Sequence, residues 1–335
     1  MISTPAVSVL LPVRNAELTI ERAARSILDS TFNDIELLLV NDASTDATGS
    51  ILSRLQAESS RVRVISTSHP DFVEALNLGI NACRAPIIAR MDADDVSSPD
   101  RIEKQVKHME QSDVDGVGGC VRIVDASGIA VRTWKRYEEW INAHRDPESI
   151  AAYRFIESPL ANPTVLARRS VFEIGYRDGP WPEDYEFWLR AIGRGFRFAK
   201  IADHVLDWVD RPTRLTRTHP RYSTEAFDRC RRMHLLKGPL DGVKTVDLWG
   251  AGKTGKPWLR WLLENDVSVR RVVEIAPKKI GTAIESTPVV SPSELGIADG
   301  TPLIIAVGAE GAREVIREQI ESLGFSIGQD SWFVA

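Results

Sequence analysis

Cysteine is scarce in this chain. The 335 residues hold three, Cys83, Cys120 and Cys230, an odd number set far apart and with no C-x-x-C pair. That pattern argues against a disulfide framework and against a cysteine-based zinc site, and it suits a reducing, cytoplasmic setting. Positive charge is also in short supply: 42 Lys and Arg stand against 47 Asp and Glu, a net charge of −5. General electrostatic attraction to nucleic acid is therefore not expected. No apolar run approaches the ~18 residues of a membrane-spanning helix. The opening "MISTPAVSVLLPVRN" lacks the basic start and long apolar core of a secretory signal. Peripheral contact with a membrane surface is compatible with all of this.

What is present is an ordinary apolar fraction, 43%, and a regular alternation of strand and helix signals. "VSVLL" (7–11) is a buried strand closed by Pro12, and a helix follows from near Glu17 with Leu18, Ala23, Ile27 and Leu28 on its apolar face. "ELLLV" (36–40) is a second strand ending at Asn41–Asp42, and Thr45 or Asp46 caps the next helix. A third strand (62–65), a helix (73–82) and a fourth strand (87–90) complete the pattern. Continuous apolar strands joined by helices imply a mostly parallel sheet covered on both faces. Further on, 117–124 reads as a strand with "DASG" as a turn, and "PWPEDYEFWLRAIGRG" opens a helix near Pro182. A second, smaller α/β module follows, so the expected domains are 1–236 and 237–335.

In an open parallel sheet, ligands bind beyond the carboxyl ends of the strands. Three such ends carry polar loops here: Pro12–Arg14–Asn15, Asn41–Asp42–Ser44, and Asp92–Asp94–Asp95. For Asp42 and Ser44 a turn or capping role is the bland reading. For the aspartates it is a solvated turn, with Ser98 capping the next helix and Pro99 at its first position. The sharper reading is a divalent cation, Mg²⁺ or Mn²⁺, which takes oxygen ligands from one or two carboxylates together with water and phosphate. Carboxylates at i and i+2 of a regular strand face opposite ways. Asp92 and Asp94 therefore need a turn to converge, or they do different jobs, one at a ribose hydroxyl and one at the metal.

"VSVLLPVRN", "IELLLVNDASTD" and "ALNLGINACRAPIIARMDADD", in that order over roughly the first 110 residues, resemble the inverting family 2 glycosyltransferases of the GT-A fold. The resemblance implies a mixed sheet flanked by helices and a nucleotide-diphosphate sugar donor, a UDP-sugar foremost. It implies that Pro12, Val13 and Arg14 line the nucleotide pocket, that Asp42 with Ser44 contacts the base, that Asp92 meets the ribose or metal, and that Asp94 ligates the metal. Asn77 matches the helix beside the pocket. Where many members carry Asn-x-Gly, this chain has His69 and Pro70. Acids in a helix's first turn favour its dipole whatever else they do, but the family opens a helix with just such an "ED" pair. The resemblance thus implies Asp184 as catalytic base and Glu183 as its support. The acceptor, a glycan, glycolipid or other hydroxyl, must lose a proton as it attacks the anomeric carbon, and a carboxylate in reach can take it. "RPTRLTRTHPRYS" (211–223) is either a solvated basic turn or a flap over the diphosphate. Trp181, next to the proposed base, is the candidate acceptor platform, whereas Trp188 on the helix suits the core.

In the second module, "TVDLWGAGKTGKPWLRWLLEN" is strand, glycine turn and helix, a Rossmann-like pattern with Gly250, Gly252 and Gly255 near G-x-G-x-x-G and Glu274 ending the next strand. It is either a nucleotide loop or a turn that allows close strand–helix packing. Two other functions compete with glycosyl transfer. A nucleotidyltransferase would bring a glycine-rich loop after the first strand, and "LLPVRNAE" contains no glycine. A nonenzymatic sugar-nucleotide-binding protein would not need Asp184.

Overall fold

The computed structural model describes residues 4–212, 214–309 and 311–335. Its first sheet is built from β1 (Val7–Val13), β2 (Ile35–Asn41), β3 (Val62–Ser66), β4 (Ile87–Arg90), β5 (Val96–Ser97), β6 (Gly116–Val124), β7 (Leu166–Arg168) and β8 (Phe198–Val209), in the order β3-β2-β1-β4-β7-β6-β8-β5. The first four run parallel, and β7 runs antiparallel to both its neighbours, which makes the sheet mixed. The connecting helices are α1 (Ile20–Leu28), α2 (Thr48–Glu58), α3 (Phe72–Ala82), α4 (Arg101–Glu110), α5 (Lys135–Ala143), α6 (Pro147–Tyr153), α7 (Arg169–Phe172) and α8 (Glu183–Gly193).

Side-chain alternation explains why β1 and β2 are apolar throughout. Val7, Val9, Leu11 and Val13 pack with Ile20, Ala23 and Ile27 of α1 and Ile102 of α4 on one face. Leu10, Leu38 and Val40 pack with Leu76 and Ile80 of α3 and Phe187 and Trp188 of α8 on the other. Trp188 is a core residue, as its helical position suggested.

Two local expectations change. Leu18 is 87% exposed, because α1 begins only at Ile20 and Leu18 lies in the preceding turn. Ser98 does not cap α4: its N–H and its hydroxyl are spent on the Val205 and His204 carbonyls beside β8, and the helix starts two residues after Pro99, at Arg101. Asp46, by contrast, does accept from the Thr48 amide at the start of α2 (3.0 Å).

The chain divides into two compact units, Met1–Ile150 with Ser158–Cys230, and Ala151–Glu157 with Arg231–Ala335. After α9 (Leu215–Thr218) and α10 (Thr224–Leu236), the second unit carries β9 (Thr245–Trp249), α11 (Gly255–Glu264), β10 (Ser268–Val273), β11 (Ala283–Ile284), β12 (Thr287–Val290), β13 (Leu303–Ile305), α12 (Ala312–Ser322) and β14 (Ser331–Phe333). Its sheet, β11-β12-β10-β9-β13-β14, is parallel except for the β11–β12 hairpin. Among the described residues no helix is long and apolar enough to cross a membrane, and all three cysteines are free thiols.

Candidate active site

Strand order places the switch point of the first sheet at β1, with β2 on one side and β4 on the other. The loops that leave β1 and β2 are stitched to each other. The Asn15 amide donates to Ser44 Oγ (3.1 Å), the Thr45 amide to Asn15 Oδ1 (2.9 Å), and the Asp42 amide to the Val13 carbonyl (2.9 Å). Asn15 and Ala43 take positive φ, 47° and 46°, so both loops turn sharply at the rim. Pro12 and Val13 are buried walls, while Arg14 points to solvent. Asp42 is buried and accepts from the Asp71 amide (2.8 Å) and Thr67 Oγ1 (3.2 Å), which fixes its carboxylate at the head of β2.

The three aspartates after β4 do not form a nest; they go three ways. Asp92 accepts from the buried Arg90 guanidinium at 2.7 Å. Asp95 is fully buried, with Oδ1 taking the Val209 amide at 2.8 Å and Oδ2 finding no partner among the described residues. Asp94 lies between them, partly exposed, its carbonyl contacted by Arg22 of α1 (3.4 Å). Burial raises the Asp94 carboxyl above the ordinary range and Asp92 adds to this, although Arg214 and Arg211 of the basic stretch pull it down. Asp95 is raised further, by burial and then by the charge of Asp94. Behind them lies a second buried cation, Arg101, whose guanidinium is lowered to about 9 by burial and by Arg90. It donates to the Arg90 carbonyl (2.7 Å) and makes no ion pair with the aspartates.

At the other acidic centre, Glu183 and Asp184 open α8 directly after Pro182. Glu183 is 3% exposed. Both of its oxygens lie 2.8 Å from the Tyr222 hydroxyl, and Arg221 lies 3.4 Å from one of them. Asp184 is half-buried, and its Oδ1 accepts from the Tyr185 amide (2.7 Å). A buried tyrosine, Tyr176, lies beside Arg90, the partner of Asp92, and its hydroxyl donates to Asn162 Oδ1 (3.3 Å). Its backbone is gripped by Asn77 of α3, which donates to the Tyr176 carbonyl (3.0 Å) and accepts from its amide (2.8 Å). The Asn77 amide thus braces this loop.

Arg90, Arg101, Tyr176 and Tyr222 escaped the reading of the sequence. Arg90 had a signal, since it directly precedes the aspartates, but a lone cation at a strand end looked unremarkable. Trp181 is half-buried, close enough to Gly179 that a side chain there would meet its ring at 2.3 Å; its indole N–H finds no acceptor among the described residues. His69, Asp71 and Glu74 gather their donor atoms within 4.8 Å on the exposed start of α3, where Asp71 already caps the helix. A depression lined by His108, Arg145, Arg197 and Lys200 lies at the entry ends of β6 and β8, away from both acidic centres.

In the second unit the glycine turn has a packing explanation. Gly250 has φ 127°, and a side chain there would meet the Ala306 carbonyl at 2.6 Å; one at Gly255 would sit 1.7 Å from the Gly250 carbonyl. Gly252 faces open space. Glu274 is occupied by Lys279 (2.8 Å) and by the amides of Ile275 and Ala276.

A mixed α/β sheet whose switch-point rim carries an aspartate cluster, with a second acidic pair opening a helix nearby, defines a nucleotide-sugar transferase fold of the GT-A kind. The chain belongs to glycosyl transferase family 2, whose model matches residues 8–175. Relatives include an uncharacterized glycosyltransferase of Haemophilus influenzae, 33% identical over 58% of this chain and 62% of the relative. The O-antigen biosynthesis glycosyltransferase WbnJ of Escherichia coli is 28% identical over 60% of this chain and 78% of the relative. The chain thus spans less than two thirds of the Haemophilus relative's length. Among solved structures, S. aureus TarS 1-349 in complex with UDP-GlcNAc shares the fold with a TM-score of 0.55 at 17% identity, over 69% of this chain and 67% of that one. The mannosyltransferase PcManGT from Pyrobaculum calidifontis, in complex with GDP-Man and Mn²⁺, does so with a TM-score of 0.50 at 20% identity, over 79% of this chain and 70% of that one.

Proposed function

We propose that this chain transfers a sugar from a nucleotide-diphosphate donor to an acceptor hydroxyl by a single displacement that inverts the anomeric centre. The observation that carries the reading is the polar rim at the carboxyl ends of β1, β2 and β4, where the Asp71 amide holds Asp42 and Arg90 holds Asp92, in a chain that the family 2 model matches over residues 8–175. Pro12, Val13 and Asp42 would bound the nucleoside, with Asp42 as acceptor for the base.

The residues present fit a divalent cation, Mg²⁺ or Mn²⁺. The donor set at the rim is all oxygen, and a buried Asp95 oxygen finds no partner among the described residues. Asp94 and the free side of Asp92 would hold the ion, which when bound neutralises charge on the leaving diphosphate. Arg211 and Arg214, which already act on Asp94, would add donors to the same phosphates. Asp184 takes the acceptor's proton, and because the leaving diphosphate needs no acid, one base suffices. Trp181 would contact the acceptor. The relatives' names and the donors bound in the neighbouring structures, UDP-GlcNAc and GDP-Man, support this reading.

The test is a panel of UDP-N-acetylglucosamine, UDP-glucose, UDP-galactose and GDP-mannose, followed for Mn²⁺-dependent turnover and thermal stabilisation. We expect one donor to respond to both, with turnover abolished in Asp184→Asn and donor stabilisation retained. Equal turnover in Asp184→Asn would end its assignment as base.

A further inference from the structure

Glu183 is an awkward residue to bury. It is an acid at the first position of a helix whose inner face is core: Tyr185, Phe187 and Trp188 are all fully buried. Burial pushes its carboxyl up, and Tyr222 and Arg221 pull it back. Besides its own backbone, the groups that act on it are Tyr222 and Arg221, both from the turn Pro220–Tyr222. Arg221 is in turn held by Asp178 at 2.5 Å. The base of α8 is fixed separately, because Arg190 pairs with Glu186 (2.8 Å) and donates to the carbonyls of Ile174 and Gly175. Among the described residues, the side chains that bond the Glu183 carboxylate are Tyr222 and Arg221, from the turn that ends the basic stretch.

We propose that Tyr222, assisted by Arg221, is a positioning residue that clamps the Glu183 carboxylate and so sets the orientation of the adjoining Asp184. This rests on the assignment of Asp184 as base. A hydroxyl 2.8 Å from both carboxylate oxygens tethers the Glu183 side chain, and Asp184 is the next residue on the same helical turn. The clamp also ties the stretch that carries Arg211 and Arg214 to the base, so donor contacts and base geometry share one segment.

The experiment is a double-mutant cycle on the full chain with Tyr222→Phe, Glu183→Gln and the pair together, beside Asp184→Asn, using Mn²⁺ and the donor of the panel that the wild type turns over. We expect Tyr222→Phe to lower kcat about tenfold while donor KM and UDP affinity stay within about twofold, the split of an effect confined to the transition state. The acid limb of the kcat–pH profile should move upward, since Glu183 loses a donor to its charged form. The double variant should be no slower than Glu183→Gln alone. Unchanged kcat and pH profile, parallel loss of kcat and UDP affinity, or a double variant slower by the product of the single effects would each overturn the proposal. If Tyr222→Phe does not fold, Arg221→Lys takes its place, with a smaller kcat loss and the same direction of pH shift expected, and no change counting against it. An inactive Asp184→Asn beside an unaffected Tyr222→Phe sinks the clamp alone; an active Asp184→Asn sinks the base assignment and the clamp with it.

Discussion

The first sheet buries acids at both ends, and they are treated differently. At the amino end Glu36 is 2% exposed, and its carboxylate takes Ser8 Oγ (2.5 Å), the Arg63 guanidinium (2.8 Å), and the amide (2.7 Å) and guanidinium (2.8 Å) of Arg84. Burial alone would push its carboxyl up, but those donors bring it below the ordinary range. At the carboxyl end Asp94 and Asp95 have fewer donors and are raised. The sheet thus gives a buried acid a full set of donors at one end and leaves acids with fewer at the other, the end where we propose that a cation binds.

The largest expected effect breaks the comparison at its functional end. Asp94→Ala should abolish metal-dependent donor turnover, and Asp184→Asn should lower transfer by about 10²–10⁴-fold, while neither lowers the urea midpoint appreciably. Glu36→Ala should do the reverse. Leaving the Ser8 hydroxyl and the Arg84 amide without their buried acceptor should cost about 1–3 kcal/mol of stability, with turnover per folded molecule unchanged. If Glu36→Ala is as stable as the wild type, the contrast between the two ends fails.

A smaller effect sharpens the functional end. Mn²⁺ at a hundred times its dissociation constant should stabilise the wild type by about 2.7 kcal/mol by mass action, read as a rise in Tm, and should leave Asp94→Ala unmoved. The same titration on Glu36→Ala should give the wild-type increment. pH separates the ends as well. The folded Glu36 carboxyl lies below its unfolded value, so its contribution is present above the unfolded carboxylate range near ~4.3. It is lost as pH falls through the depressed folded value. Urea unfolding between pH 6 and pH 3 should therefore show a loss in the wild type that Glu36→Gln lacks.

What the sequence disclosed follows from which forces are local. The strands of the first sheet are written in continuous apolar runs, and a run such as "VSVLL" is legible because both its faces are buried. The acidic loops were legible because three carboxylates within four residues are unusual at a strand end. What stayed hidden depends on contacts across the chain. Tyr222 meets Glu183 from 39 positions away, and Asn77 braces Tyr176 from 99 positions away. Leu18 was misplaced because helical spacing alone cannot tell the first turn of a helix from the turn before it. Ser98 and Pro99 were misplaced because pairing with β8, a strand about a hundred residues on, claimed the backbone a cap would have used.

The smallest effect tests whether that bracing is rigid. Gly79 of α3 lies against the sheet so closely that a Cβ would meet Leu10 Cδ1 at 2.3 Å and Val40 Cγ2 at 2.9 Å. Both neighbours are fully buried and have little room to give. Gly79→Ala should therefore cost about 1–3 kcal/mol by overpacking, partly offset by the better helix propensity of alanine. The helix relieves the clash by moving outward, and Asn77, two residues earlier, moves with it. Its two bonds to Tyr176 should then carry the displacement to the Arg90–Asp92 pair, lowering kcat a few-fold. A variant that loses stability yet keeps wild-type kcat would mean that the Tyr176 loop is held by its own packing, Tyr176 on Phe187 at 4.3 Å, and that Asn77 merely follows it.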